Sequence, residues 1–119
     1  MIQITVDGYA TVEAHEGERL VLALERGGVD ILHRCGGVAR CTTCRVEFSA
    51  GEPEAMTQAE KDKLTEKGMQ IGGAGGVRLS CQIECHHDMS LTPVQTVQNS
   101  GLEAGKAPAE ALEPEAIWV

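Results

Sequence analysis

Apolar and polar residues alternate at the start of the chain, where Ile2, Ile4 and Val6 interleave with Gln3, Thr5 and Asp7. A second alternation follows in Ala10, Val12 and Ala14, with the turn pair Asp7-Gly8 between the two runs. The pattern predicts a β-hairpin with one buried face. Over 18–26 the period changes: Leu20, Val21 and Leu24 recur at helical spacing until Gly27-Gly28, which predicts a helix across one face of the sheet. Val46 and Phe48 alternate with Arg45, Glu47 and Ser49, so a third strand is expected to leave directly from Cys44. Thr57 followed by Glu60 has the form of a capping box for a mostly solvated helix over 58–67 that stops at Gly68. Val77, Leu79 and the Met89/Leu91 pair complete the expected sheet. Strands first, then a covering helix and more strands, indicate an α+β layer rather than a helical bundle or an all-β sandwich.

The chain has 119 residues and a formal net charge of -8, with aromatics confined to Tyr9, Phe48 and Trp118. A single small core of Val, Ile, Leu and Ala follows. Such an acidic surface repels phosphate backbones and anionic membranes, so nucleic acid and membrane are poor partners and a protein with a basic patch is a good one. The longest aliphatic run, Leu20 to Leu24, falls far short of the roughly 20 residues of a membrane helix. The first residues carry no secretory pattern, and the expected location is cytoplasmic. Beyond Val97 the composition turns to Ala, Glu, Gly and Pro, which divides the chain into a domain over 1–97 and a tail over 98–119. The tail ends in apolar residues, and Ile117 and Trp118 are expected to dock by burying their side chains.

Five cysteines are an odd set for a disulfide framework, and three of them fall within ten residues. Cys35, Cys41 and Cys44 are separated by five and two residues, and 36 further residues separate Cys44 from Cys81. Four thiolates in this order suit two irons bridged by two sulfides, since three close ligands let one loop wrap the cluster and a distant fourth ties it to the fold. A structural zinc site is the rival, but zinc ribbons mostly use two close pairs. Gly36, Gly37 and Ala39 would let backbone amides approach the sulfides, and Thr42 and Thr43 could add hydroxyls. Cys85 with His86-His87 resembles a metal string but supplies only one of the two motifs a Rieske centre needs, so Cys85 is expected to be a packed or surface thiol. His15 and His33 are expected at the surface or in loops. Gly72 to Gly76 lacks the Lys-Ser/Thr of a phosphate loop and is expected to be a flexible connection. No nucleophile with a base, and no paired carboxylates, points to an enzyme.

Three segments carry a family resemblance: the 35–44 run Cys-Gly-Gly-Val-Ala-Arg-Cys-Thr-Thr-Cys, the 56–64 run Met-Thr-Gln-Ala-Glu-Lys-Asp-Lys-Leu, and Arg78-Leu79-Ser80-Cys81-Gln82-Ile83. In order and spacing, the chain over 2–97 resembles two-iron two-sulfur ferredoxins of the adrenodoxin-like or bacterial branch. The resemblance implies a β-grasp fold, one 2Fe-2S cluster bound by Cys35, Cys41, Cys44 and Cys81, and one-electron transport. It places Cys35 and Cys41 on the outer iron and Cys44 and Cys81 on the inner one. It further implies a basic-surfaced ferredoxin reductase and an acceptor such as an oxygenase or cytochrome P450, with cluster assembly as an alternative role. In that branch the helix after the cluster loop is acidic; here Glu60, Asp62 and Glu66 are balanced by Lys61, Lys63 and Lys67. Asp62 is the first recognition residue expected on it, with Glu60 beside it.

Overall fold

The computed structural model describes residues 2–33, 42–97, 101, 105, 112 and 116–119. Within them, β1 (Ile2–Val6) and β2 (Val12–Ala14) form the expected hairpin, Ile2 facing Ala14 and Ile4 facing Val12. Gly8 makes the turn at a φ of 83°, a conformation glycine adopts without the steric cost other residues meet. β3 (Arg45–Ala50), β4 (Arg78–Leu79) and β5 (Met89–Pro93) complete a sheet in the order β2-β1-β5-β3-β4. β1 and β5 are parallel and the other neighbours antiparallel. Helix α1 (Leu20–Arg26) buries Leu20, Val21, Ala23 and Leu24 in the core with Ile4, Val46, Leu79 and Leu91. This mixed sheet with a helix packed across it is the β-grasp arrangement.

α1 starts two residues later than its hydrophobic period predicts, because the segment before it pairs with residues 83–85. Gly17 N donates to Cys85 O, Cys85 N to Glu18 O and Leu20 N to Ile83 O, at 2.7 to 2.8 Å. Arg19 stays extended and its side chain turns inward. Helix α2 (Gln58–Glu66) is capped as predicted on one side only: Thr57 Oγ1 accepts from Glu60 N at 3.2 Å. The Glu60 carboxylate does not return the bond. It is wholly buried and grips Arg78 with both oxygens, at 2.7 and 3.1 Å. That corrects the expectation of Glu60 as a surface recognition residue, whereas Asp62 is exposed.

The glycine run is a hydrogen-bonded turn rather than a loose connection. Gly72 N reaches Val77 O at 3.0 Å, and a Cβ on Gly76 would meet Gly72 O at 1.8 Å. The carboxylate it holds is internal: Gly73 N donates to Glu52 Oε1 at 3.0 Å. The linker expected over 98–114 lies almost entirely outside the described residues. Residues 117–119 dock, but by main chain: Gln58 N donates to Ile117 O at 2.7 Å and Val119 N to Met56 O at 2.9 Å. Ile117 and Val119 remain mostly exposed, at 66% and 56%, while Trp118, at 47%, buries about half of its side chain, so the expected burial is partial and is joined by these main-chain bonds. No helix among the described residues is long and apolar enough to cross a membrane.

Candidate metal centre

The β3–β4 ladder explains how two distant cysteines meet. Arg45 faces Leu79 across it, so one step beyond the ladder Cys44 faces Ser80, with Cys81 next in the chain. Ser80 fastens the junction, donating both its amide (3.2 Å) and its hydroxyl (2.8 Å) to Cys44 O. A short 3-10 turn, Ser80–Gln82, then carries Cys81 inward. Cys44 and Cys81 are both buried, at 2% and 0% exposure. Their thiols are hydrogen-bonded to one another, and this bond, followed by burial, pushes the Cys44 thiol well above its ordinary value. Two buried sulfurs side by side form a donor pair for a soft metal, which replaces the thiol proton as it binds.

Two buried arginines steady the Cys81 segment. Arg19 donates from Nε (3.1 Å) and Nη2 (2.6 Å) to Cys81 O, stapling the start of α1 to the Cys81 peptide. Arg78 pairs with Glu60 and also donates to Pro53 O (2.7 Å) and Ala55 O (2.9 Å), while Glu60 accepts from Leu79 N at 2.8 Å. Burial raises the Glu60 carboxyl above the ordinary range, against the pull of Arg78. Gln82 Nε2 lies 3.7 Å from Cys81 Sγ, a hydrogen bond to the sulfur itself, and Gln82 Oε1 accepts from Thr57 Oγ1 at 3.0 Å. These polar groups escape a sequence reading, because hydrophobic periodicity assigns charges to the solvent. Arg19 at the head of an apolar helix was the available signal.

Cys35 and Cys41, with Gly36, Gly37 and Ala39, lie outside the described residues. Thr42 is buried at a φ of 56°, and Thr43 is half-buried. Cys85 is wholly buried, and its thiol feels the charges of Glu18, Arg26 and Glu16. Burial, then Glu18, pushes that thiol up to about 12. His15 is exposed, but His33 is not at the surface: it is 2% exposed and its Nε2 pairs with Glu25. His86 pairs with Glu16 (2.6 Å) and Glu84 (3.4 Å), and His87 with Gly51 O (2.8 Å).

The model of the 2Fe-2S iron-sulfur cluster binding domain family matches residues 4–86. The chain belongs to this family. A ferredoxin domain of this kind binds one 2Fe-2S cluster, and the buried thiol pair of Cys44 and Cys81 fits that donor chemistry. Terpredoxin of a Pseudomonas species is 35% identical over 80 residues, covering 64% of this chain and 74% of that protein. A component of the Na(+)-translocating NADH-quinone reductase of Pseudoalteromonas atlantica is 32% identical over 90 residues, covering 76% of this chain. The chain spans only about a fifth of that relative's length, 21%. Among solved structures, a ferredoxin from Rhodopseudomonas palustris superposes with a TM-score of 0.58 at 28% identity, covering 80% of this chain and 97% of that one.

Proposed function

We propose that this ferredoxin domain is a one-electron carrier that takes electrons from a reductase and delivers them to an acceptor protein such as an oxygenase or cytochrome P450. Cys35, Cys41, Cys44 and Cys81 hold its cluster, Cys44 and Cys81 from the buried side. The domain occupies 1–97 and residues 98–119 form an extension. The observation that carries the reading is that the end of the β3–β4 ladder brings the buried Cys44 and Cys81 together, with Ser80 donating twice to Cys44 O. When bound, a 2Fe-2S cluster supplies the one-electron redox step, and the protein supplies position and electrostatics.

The chain's own residues divide that work. Ser80 and Arg19 hold the peptides of the two cysteines, so the thiolates keep their separation as charge enters. Burial of both sulfurs keeps water from them and lowers the reorganisation that electron transfer requires. The buried cation Arg19 lies against the Cys81 peptide and favours an added negative charge there, in a chain of net charge -8. Cysteines used as ligands rather than in disulfides suit a reducing, cytoplasmic setting.

The acidic surface, with Asp62 exposed on α2, fits a basic-surfaced ferredoxin reductase. The test is reduction of the anaerobic protein by a ferredoxin reductase and NAD(P)H, followed by stopped-flow transfer to cytochrome c as acceptor. Stoichiometric one-electron reduction, with an association rate that falls as salt rises, supports the proposal. Failure to accept an electron from dithionite as well as from reductase rejects it.

A further inference from the structure

Residues 117–119 are joined to the Cys81 sulfur by an unbroken series of contacts. Their main chain lies antiparallel to Met56–Gln58, with Thr57 opposite Trp118 and bonds at both ends, Gln58 N to Ile117 O and Val119 N to Met56 O. Thr57, pinned between those bonds, is 1% exposed. Its hydroxyl accepts from Glu60 N and donates to Gln82 Oε1. Gln82 is also buried, and with its oxygen engaged by Thr57 its amide nitrogen is aimed at Cys81 Sγ. Trp118 lines a cleft together with Pro53, Ala55 and Ile83, residues near this route in the chain.

We propose that the 117–119 strap is a positioning element for the cluster: through Thr57 it fixes the Gln82 amide on the Cys81 sulfur and so raises the reduction potential. The physical basis is that a hydrogen bond to a ligating sulfur stabilises the more negative, reduced centre more than the oxidised one. Freed from the strap, Met56–Gln58 loses two main-chain bonds. Thr57 then samples other positions and Gln82 is no longer held in one orientation. The inference rests on Cys81 being a cluster ligand.

The experiment is a double-mutant cycle on reduction potential, with iron and sulfide counted in each variant. Gln82→Leu should shift the oxidised-to-reduced ratio at a fixed potential about tenfold toward oxidised, 59 mV for a one-electron couple. Removal of residues 117–119 should shift it in the same direction by about threefold. The strap deletion should add nothing in the Gln82→Leu background, an outcome that a general loosening of the fold would not give. Val119→Pro, which removes the Val119 N–H donor while leaving residues 117 and 118 in the chain, should reproduce the direction and serves if the deletion loads poorly. Increased exchange of the Gln58 amide reports release of the strap directly. Full iron and sulfide with an unchanged potential, or additive effects, would overturn the proposal. Parent protein lacking iron and sulfide would instead refute the cluster reading on which it rests.

Discussion

Ser80 gives both its amide and its hydroxyl to one atom, the carbonyl oxygen of Cys44, at 3.2 and 2.8 Å. Thirty-six positions separate the two residues, and this double bond is where the first cysteine group is fastened to the last. Replacing Ser80 by Ala keeps the amide bond and loses the hydroxyl bond. The expected cost is about 1 kcal/mol of stability. Loss of the cluster's visible absorbance on warming should be faster, because the separation of the two thiols is less tightly held. Unchanged thermal bleaching would show that the amide alone suffices.

Glu60 and Arg78 form a bidentate pair with both side chains essentially inaccessible to water. Glu60→Ala leaves the guanidinium buried with two carbonyl partners and, as counter-charge, only the partly exposed Glu52 at 3.5 Å. Breaking such a pair costs about 3–5 kcal/mol. Denaturant titration of the anaerobic protein should show a loss of that order, and a loss under about 1 kcal/mol would contradict the structural role given to the pair. Asp62→Asn on the same helix, exposed, should leave stability nearly unchanged.

The arrangement of β1, β2, α1 and β3 was legible in the sequence because their apolar residues repeat at strand or helix period. So was the cysteine spacing, because ligand chemistry demands particular residues at particular intervals. Glu60 was misread as a surface charge since a capping-box glutamate and a buried ion-pair glutamate share the same local text; only Arg78, 18 residues away, tells them apart. His33 lies in a loop, one of its two expected settings, but is buried there against Glu25 of α1, a pairing that local sequence does not encode. Ile117 and Trp118 were expected to dock by apolar burial, but the bonds at 117–119 are made by peptide groups, which side-chain identity does not encode.

His86 is exposed and hydrogen-bonded to Glu16, and this bond raises its pKa above the ordinary 6.5. A histidine raised on folding binds its proton more tightly in the folded than in the unfolded chain. Its contribution to stability is therefore fully present below pH 6.5 and is lost as pH rises through the folded pKa. NMR titration should place His86 above the ordinary value and return it toward that value in Glu16→Gln. A midpoint below 6.5 in the parent protein would contradict the pairing.

Cys85 is wholly buried with its thiol pushed up to about 12. At pH 8 only about one such thiol in 10⁴ is ionised, and thiolate is the reactive form. Iodoacetamide should leave Cys85 unmodified in the folded protein and label it after denaturation, and Cys85→Ser should keep the cluster spectrum. Rapid labelling of Cys85 in the folded state would contradict its burial.

The central claim is that Cys35, Cys41, Cys44 and Cys81 hold one two-iron centre that takes up one electron. Anaerobically purified protein, reduced with dithionite and examined by electron paramagnetic resonance alongside iron and acid-labile sulfide analysis, tests it most directly. About two irons, two sulfides and one unpaired spin per chain are predicted for the parent protein and for Cys85→Ser, with loss of the signal or a strongly altered spectrum in Cys81→Ser. Zinc in place of iron, absence of labile sulfide, or cluster loss on Cys85→Ser rather than Cys81→Ser would contradict the account.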